Sequence, residues 1–268
     1  MKDPRLDRFL QGFGPGRTAV CRQDDTEVPM GMDFFILRAC AGETIFDPSD
    51  AGFECAWLLM DGTVLFQQGD KSHTATRTSL FSQDPYCMHV PAGCPVTVRA
   101  LADCELALFR VPNDRSFAPR FYDPKTMLEC ELRDRGRWND TAYRVVRTIF
   151  DNRNNPDAQL VLGEVVNFGG RWSSYPPHHH PQPEIYHYRF SMPQGYGHGE
   201  LGDDVLKIRQ YDTLRISGGN DHSQVAAPGY EMYYIWAIRH LPGNRYTTPE
   251  FTAEHVWLKD LPFTGTQF

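Results

Sequence analysis

The sequence has little of what membrane-spanning or nucleic-acid-binding proteins depend on. No stretch approaches the about 18 uninterrupted apolar residues of a membrane span, since the best candidate, 32–41, is interrupted by Asp33 and Arg38. No run rich in lysine or arginine occurs, and the net charge is −7. These absences argue against a membrane or a nucleic acid as the main partner.

The cysteine pattern and the first residues lack the marks of an exported protein. The seven cysteines are an odd number and form no CxxC pair, so we expect structural thiols that stay reduced. The first ten residues, MKDPRLDRFL, carry charges where a signal peptide has its apolar stretch. Both features predict a cytoplasmic location.

What the sequence does contain is typical of a folded all-β protein. Of its 268 residues, 41% are apolar and 13% aromatic, enough for a core in one or two domains. The 22 glycines and 20 prolines are spread along the chain and punctuate short segments. Residues 4–12 predict at most a turn or two of helix, and 143–150 fit either a strand or a short helix. Seven segments alternate or run apolar over strand lengths, which predicts a sandwich or small barrel: Cys55–Met60, Pro95–Ala100, Glu105–Val111, Gln159–Val166, Ile185–Phe190, Thr213–Ile216 and Tyr230–Ile238.

The two halves of the chain are weakly similar to each other. Residues 85–93 and 210–219 both have the pattern of a strand followed by a turn, and a long apolar strand follows each, at 105–111 and 231–238. This predicts a duplicated β domain, with an N-terminal domain at 1–135 and a C-terminal domain at 136–268.

Candidate metal ligands concentrate in residues 172–184, WSSYPPHHHPQPE. In an extended segment His178 and His180 share one face, while His179 points the opposite way. A turn that folds Glu184 back would bring two imidazoles and a carboxylate to one divalent cation. His222, after a glycine-rich turn, is the candidate fourth ligand. The alternative is a solvated Pro-His loop that binds nothing; the spacing and the later histidine favour the metal site.

The spacing His178-x-His180-x3-Glu184 with a later His222 resembles the metal motif of the cupin superfamily. More specifically, the sequence resembles the 5-deoxy-glucuronate isomerase family of inositol catabolism, which is related to 5-keto-4-deoxyuronate isomerase. The resemblance spans roughly residues 30–260, and its most specific part is WSSYPPH at 172–178. It is also carried by 77–81, 85–93, 139–146, 162–164, Glu184-Ile-Tyr-His-Tyr-Arg, Pro193-Gln-Gly and Ala227-Pro-Gly-Tyr-Glu-Met-Tyr-Tyr.

The resemblance implies a bicupin, with two tandem β-barrel (jelly-roll) domains in one chain. One divalent metal ion per chain would be zinc, with manganese or iron as alternatives. Its ligands would be His178, His180, Glu184 and His222. The N-terminal domain would lack a metal site, since Pro48, Asp50 and Val96 stand at the equivalent positions.

The implied activity is metal-dependent aldose–ketose isomerisation of a deoxy-uronic acid such as 5-deoxy-glucuronate. A divalent cation would stabilise the developing enediolate, and a base would carry the proton between carbons. Strand alternation places Tyr186 and Tyr188 on the Glu184 face, and Tyr234 follows His222, so these three phenols are candidate catalytic groups or ordinary core. The candidate substrate-binding residues are Tyr175, Lys207 and Arg209; an isolated strand lysine is more often solvated.

Two other functions remain open from the sequence. Three histidines and one glutamate also hold redox iron or manganese in cupin oxidases and dioxygenases. The segments 197–200 and 217–221 depart from the family pattern, which leaves a non-catalytic sugar-acid-binding module as the second alternative. In each case the expected partner is a small sugar acid, and exposed edges of antiparallel sheets favour a homo-oligomer.

Overall fold

The computed structural model describes residues 3–47 and 52–261, and the regular secondary structure of this part of the chain is almost entirely strand. Two 3-10 helices, Trp138–Asp140 and Ala253–Asp260, are its only helices, and neither is long and apolar enough to cross a membrane. The strands are β1 (Leu6–Asp7), β2 (Gly16–Cys21), β3 (Asp33–Ala39), β4 (Thr44–Asp47), β5 (Phe53–Gln68), β6 (Lys71–Arg77), β7 (Cys87–Val90), β8 (Val96–Ala100), β9 (Cys104–Pro112), β10 (Arg120–Tyr122), β11 (Glu131–Arg133), β12 (Arg144–Phe150), β13 (Leu160–Asn167), β14 (Trp172–Ser173), β15 (His178–His179), β16 (Glu184–Phe190), β17 (Tyr196–Leu201), β18 (Asp204–Arg209), β19 (Thr213–Ile216), β20 (Gln224–Ala226), β21 (Met232–Arg239) and β22 (Glu250–Phe251).

The chain divides into two compact units that are not continuous in sequence. One unit contains Phe13–Leu128 and Ile149–Val161. The other contains the chain up to Gly12, Glu129–Thr148 and the chain from Leu162 onward. The predicted domains, 1–135 and 136–268, are each continuous in sequence. They differ from the two units because the chain up to Gly12 belongs to the unit with Glu129–Thr148, and Ile149–Val161 belongs to the unit with Phe13–Leu128.

The unit that includes the chain from Leu162 onward holds three sheets. Its seven-stranded sheet has the order β1-β19-β16-β21-β13-β12-β11, and its four-stranded sheet has the order β14-β20-β17-β18. The short strands β15 and β22 form a two-stranded ribbon. Tyr188 and Leu214 of the first sheet pack in one core with Leu201 and Ile208 of the second, so this unit is a sandwich with its core between two sheets.

The other unit is organised around the long strand β5. Its sheet has the order β10-β7-β5-β9-β3-β2, with β6 and β8 also paired to β5 and β4 paired to β8. Trp57, Leu59, Phe66, Val98 and Leu108 are buried in its core, which consists of aliphatic, aromatic and sulfur-containing side chains. Alternate residues of β5 supply this core because side chains of a strand point to opposite faces.

The all-β prediction is confirmed, and each of the seven predicted strands overlaps an observed one. The helical turn predicted at 4–12 is wrong: Leu6 and Asp7 form a strand that pairs with Leu214 and Thr213. Residues 144–150 form a strand, which settles the choice left open there. The segments that are similar between the two halves of the sequence occupy matching places in their sheets. β7 and β9 lie on either side of β5, and β19 and β21 lie on either side of β16 in the same way.

Candidate metal centre

The candidate ligands are brought together by β16 and by the glycine-rich turn that follows β19. Glu184 opens β16, which pairs with β19 on one side and β21 on the other. The turn after β19 lies against the histidine segment, where the Gly219 N–H donates to the His180 carbonyl. Gly218 has φ +94°, and a Cβ there would overlap the Pro181 carbonyl oxygen. Glycine is therefore needed for this close approach, which places His222 opposite His180.

Three ligand atoms converge on one point. Glu184 Oε2 lies 3.1 Å from His180 Nε2 and 3.2 Å from His222 Nε2. Ligand atoms of these three residues all lie within 4.8 Å of one another, and all three side chains are buried. Two atoms each about 2.1 Å from one tetrahedral ion are about 3.4 Å apart. The spacing around Glu184 therefore fits ligands of a single small cation.

Each candidate imidazole is oriented by a main-chain carbonyl. The Nδ1 atom of His180 is 2.9 Å from the Gln182 oxygen, and that of His222 is 2.8 Å from the Asn220 oxygen. His178 has the same arrangement, with Nδ1 2.9 Å from the Pro176 oxygen. Holding Nδ1–H on a carbonyl leaves the Nε2 lone pair of a neutral ring for a metal.

His178 lies beside the cluster but outside the set of converging atoms. Its ring centroid is 4.9 Å from that of His222, edge to face. The ribbon places it opposite Phe251, whose ring centroid is 5.7 Å away. The structure thus brings His180, Glu184 and His222 together as anticipated. The role of His178 as a fourth ligand stays a prediction.

Electrostatics in the cluster favours a charged Glu184 carboxylate and a neutral His178 ring. Burial alone would raise the pKa of Glu184, but the adjacent His180 and His222 imidazoles lower it to about 2. Burial and the neighbouring His222 lower the pKa of His178 to about 3. Burial also opposes protonation of His222, although its contact with Glu184 outweighs this and raises its pKa.

The donor set fits a divalent metal ion. His222 Nε2 is buried and makes no hydrogen bond within the described residues, although Glu184 Oε2 is nearby. A buried nitrogen without a hydrogen-bond partner is costly in an apolar core. Two imidazole nitrogens and a carboxylate oxygen are ligands that zinc, manganese and iron accept. His180, Glu184 and His222 could therefore hold such an ion; the choice of metal stays a prediction.

The three predicted catalytic tyrosines lie together beside this cluster. Tyr186, Tyr188 and Tyr234 are buried in one core, and the Tyr186 ring centroid is 5.8 Å from that of His222. Burial raises the pKa of Tyr186 and Tyr188 well above the ordinary value and raises that of Tyr234 as well. All three phenols therefore keep their protons at neutral pH and can donate hydrogen bonds.

Sequence reasoning did not single out the polar residues that hold these phenols. Tyr188 donates to Gln224 Oε1 at 2.6 Å, and Gln224 Nε2 donates to the His222 carbonyl at 2.7 Å. Tyr186 and Tyr234 contact the hydroxyls of Ser174 and Ser173. The only available signal was that both serines lie inside the specific stretch WSSYPPH.

The predicted substrate-binding residues are dispersed. Tyr175 is half-buried and lines a cleft of about 750 Å³ with Trp138 and Trp172. Lys207 and Arg209 are exposed and line a separate cleft of about 310 Å³. The residue between them, Ile208, is the one that enters the core. Strand alternation thus turns both cations outward, and their role in binding the substrate stays a prediction.

Comparison with known proteins identifies the family. Residues 9–258 match the KduI/IolB family. A curated relative from Geobacillus kaustophilus (strain HTA426), named 5-deoxy-glucuronate isomerase, is 31% identical over 223 residues, covering 77% of this chain and 78% of the relative.

Solved structures show the same fold. An IolB-like protein from Salmonella typhimurium LT2 has a TM-score of 0.81 at 22% identity, covering 92% of this chain and 97% of that one. A cupin 2 conserved barrel domain protein from Leptotrichia buccalis has a TM-score of 0.50 at 9% identity, covering 89% and 91% of the two chains. The fold is therefore all-β and cupin-like.

Proposed function

The chain belongs to the KduI/IolB family, and we propose that it is a metal-dependent aldose–ketose isomerase acting on a deoxy-uronic acid such as 5-deoxy-glucuronate. The curated relatives bear the name of this activity. The observation that carries the proposal is the convergence of His180, Glu184 and His222 in a buried cluster whose imidazoles are already oriented.

The reaction moves hydrogen between C1 and C2, and its barrier reflects the weak acidity of the carbon next to the carbonyl. His180, Glu184 and His222, with His178 as the proposed fourth ligand, would hold a divalent ion, which would supply Lewis-acid stabilisation of negative charge on the substrate oxygens. Glu184 is a poor general base because its carboxylate faces two imidazoles and has a low pKa.

The tyrosines act as neutral hydrogen-bond donors in this proposal. A phenol whose pKa is raised by burial stays protonated and can stabilise an oxygen that gains negative charge. Tyr186 is the best placed, because its ring contacts that of His222. The rings of Tyr188 and Tyr234 pack against that of Tyr186 and support its position. Tyr175 would form part of a substrate-facing wall.

Several broader predictions belong with this proposal. We propose that each compact unit is a cupin barrel, that only the unit containing Glu184 binds metal, and that the protein is a cytoplasmic homo-oligomer of inositol catabolism. Of the first-half positions equivalent to the ligands, Val96 is buried in an apolar core, which supports the second statement; Pro48 and Asp50 lie outside the described residues.

The decisive experiment measures metal and turnover in the same purified sample. Elemental analysis should find about one divalent ion per chain, and proton NMR should show the aldehyde of 5-deoxy-glucuronate replaced by a ketone. Turnover should persist without oxygen, stop after chelation and return when zinc or manganese is added back. Binding of the uronate without conversion in the metal-restored protein would contradict the proposal, and oxygen-dependent turnover would instead identify an oxidase.

A further inference from the structure

Two consecutive serines at the end of β14 direct their hydroxyls to the same side. In an extended chain, neighbouring side chains alternate between faces, so Ser173 and Ser174 would be expected to point apart. Ser174 instead has φ +52°, the left-handed region that glycine enters most easily. Both side chains are buried, and both reach the tyrosine cluster.

The two serines and two tyrosines form an unbroken row of hydroxyls. Ser173 Oγ lies 2.5 Å from the Tyr234 hydroxyl, which lies 3.4 Å from Ser174 Oγ. Ser174 Oγ in turn lies 2.9 Å from the Tyr186 hydroxyl. The order is therefore Ser173, Tyr234, Ser174 and Tyr186, and the row ends beside His222.

Counting protons in this row shows what it can do. Four hydroxyls carry four protons, but only three contacts join them, so one terminal proton is left over. If each hydroxyl donates towards Tyr186, the Tyr186 proton points outward. If each donates towards Ser173, the Tyr186 oxygen instead accepts from outside. The direction of the row thus sets whether Tyr186 presents a donor or an acceptor.

We propose that Ser174 is a positioning residue, whose left-handed backbone turns its hydroxyl into this row so that it orients the O–H of Tyr186 towards the substrate. The proposal rests on the proposed isomerase function. A serine at a position that favours glycine is consistent with a need for the hydroxyl itself. Ser173 has the corresponding place at the far end of the row, where it holds Tyr234.

Ser174→Gly separates a positioning role from a merely structural one. Glycine adopts φ +52° without steric cost, so the variant should keep the backbone conformation while lacking the hydroxyl, and urea unfolding should show that it remains folded. We expect kcat to fall about tenfold or more, with KM and metal content unchanged. Asn139→Gly is the matched control, since Asn139 is an exposed residue with φ +54°, and it should leave kcat unchanged.

A second measurement does not depend on activity. The infrared C–O stretching band of labelled tyrosine responds to whether the phenol donates or accepts a hydrogen bond. Ser174→Gly should shift a band that Tyr186→Phe removes, and Asn139→Gly should not. A Ser174→Gly protein with wild-type kcat, or with an unshifted band, overturns the proposal. If the band shifts but the wild type converts no uronate, the positioning of Tyr186 stands and the proposed function fails.

Discussion

Two buried carboxylates, one in each compact unit, show how neighbours decide what a buried acid does. Glu54 in β5 and Glu184 in β16 are both almost inaccessible to solvent. Each lies near a histidine: His89 Nε2 is 3.4 Å from Glu54, and His180 Nε2 is 3.1 Å from Glu184. Burial and a nearby histidine therefore do not distinguish the two carboxylates.

The remaining partners of the two carboxylates differ in kind. Glu54 accepts from the main-chain N–H groups of Gln159 and Leu160, at 2.8 and 3.0 Å, and from the amide of Asn113. Its lone pairs are therefore used by donors that fasten residues 159–160 to β5. Glu184 instead faces two imidazoles whose other nitrogens are already held by carbonyls. A carboxylate saturated by N–H donors is an anchor, whereas one surrounded by nitrogen lone pairs can bind a cation.

The largest expected effect comes from removing an imidazole from the Glu184 cluster. His180→Ala should lower the metal content from about one ion per chain to a small fraction of that, because one of few ligands is lost. Isomerase activity should fall with it. Elemental analysis and the NMR assay measure both quantities.

The adjacent histidine is a matched control for this variant. His179 points away from the cluster and pairs with Asp221 at 2.9 Å. His179→Ala should therefore keep its metal. Equal metal loss in the two variants would mean that the loop is disturbed as a whole, which would remove the contrast between the two carboxylates.

The next largest effect is on the Glu54 side. Glu54→Ala leaves the half-buried N–H of Gln159 and the buried N–H of Leu160 without their acceptor. It should destabilise the protein by about 3 kcal/mol, at about 1–3 kcal/mol for each unsatisfied group. Urea unfolding measures this change. Metal content should stay at the wild-type level, since Glu54 is not a ligand in this account.

Glu27→Ala is the control for Glu54→Ala, because Glu27 is exposed and its removal should change stability by less than about 0.5 kcal/mol. If Glu54→Ala instead unfolded at the wild-type urea concentration, the main-chain anchor would be of no energetic consequence. Loss of metal from a folded Glu54→Ala protein would show that the two carboxylates are coupled.

The smallest effect is expected at the exposed cations. Lys207→Ala and Arg209→Ala should change KM by no more than about twofold, as exposed positions usually contribute little. Steady-state kinetics with the uronate substrate measures this. A KM raised tenfold or more in either variant would show that the substrate site extends from the Glu184 cluster to this cleft.

Some side-chain positions in the candidate site could be predicted from the sequence, and others could not. The alternation in Glu184-Ile-Tyr-His-Tyr placed Glu184, Tyr186 and Tyr188 on one face, and they do share one core region. The convergence of His180 and His222, 42 positions apart, was anticipated from motif spacing and a resemblance. In contrast, no sequence signal showed which face of β18 is exposed, so the exposure of Lys207 and Arg209 emerged only from the structure.

The strand content could be read from the amino-acid sequence, because apolar alternation is a local property of the chain. Motif spacing also identified His180, Glu184 and His222 as candidate ligands, whereas their convergence depends on the fold. The folded structure was needed to show where side chains at irregular positions point. Ser174 faces the tyrosines because of a left-handed backbone angle, and His178 lies opposite Phe251 because its strand pairs with β22. Such directions depend on turns and on contacts with distant segments, and neither leaves a periodic trace in the sequence.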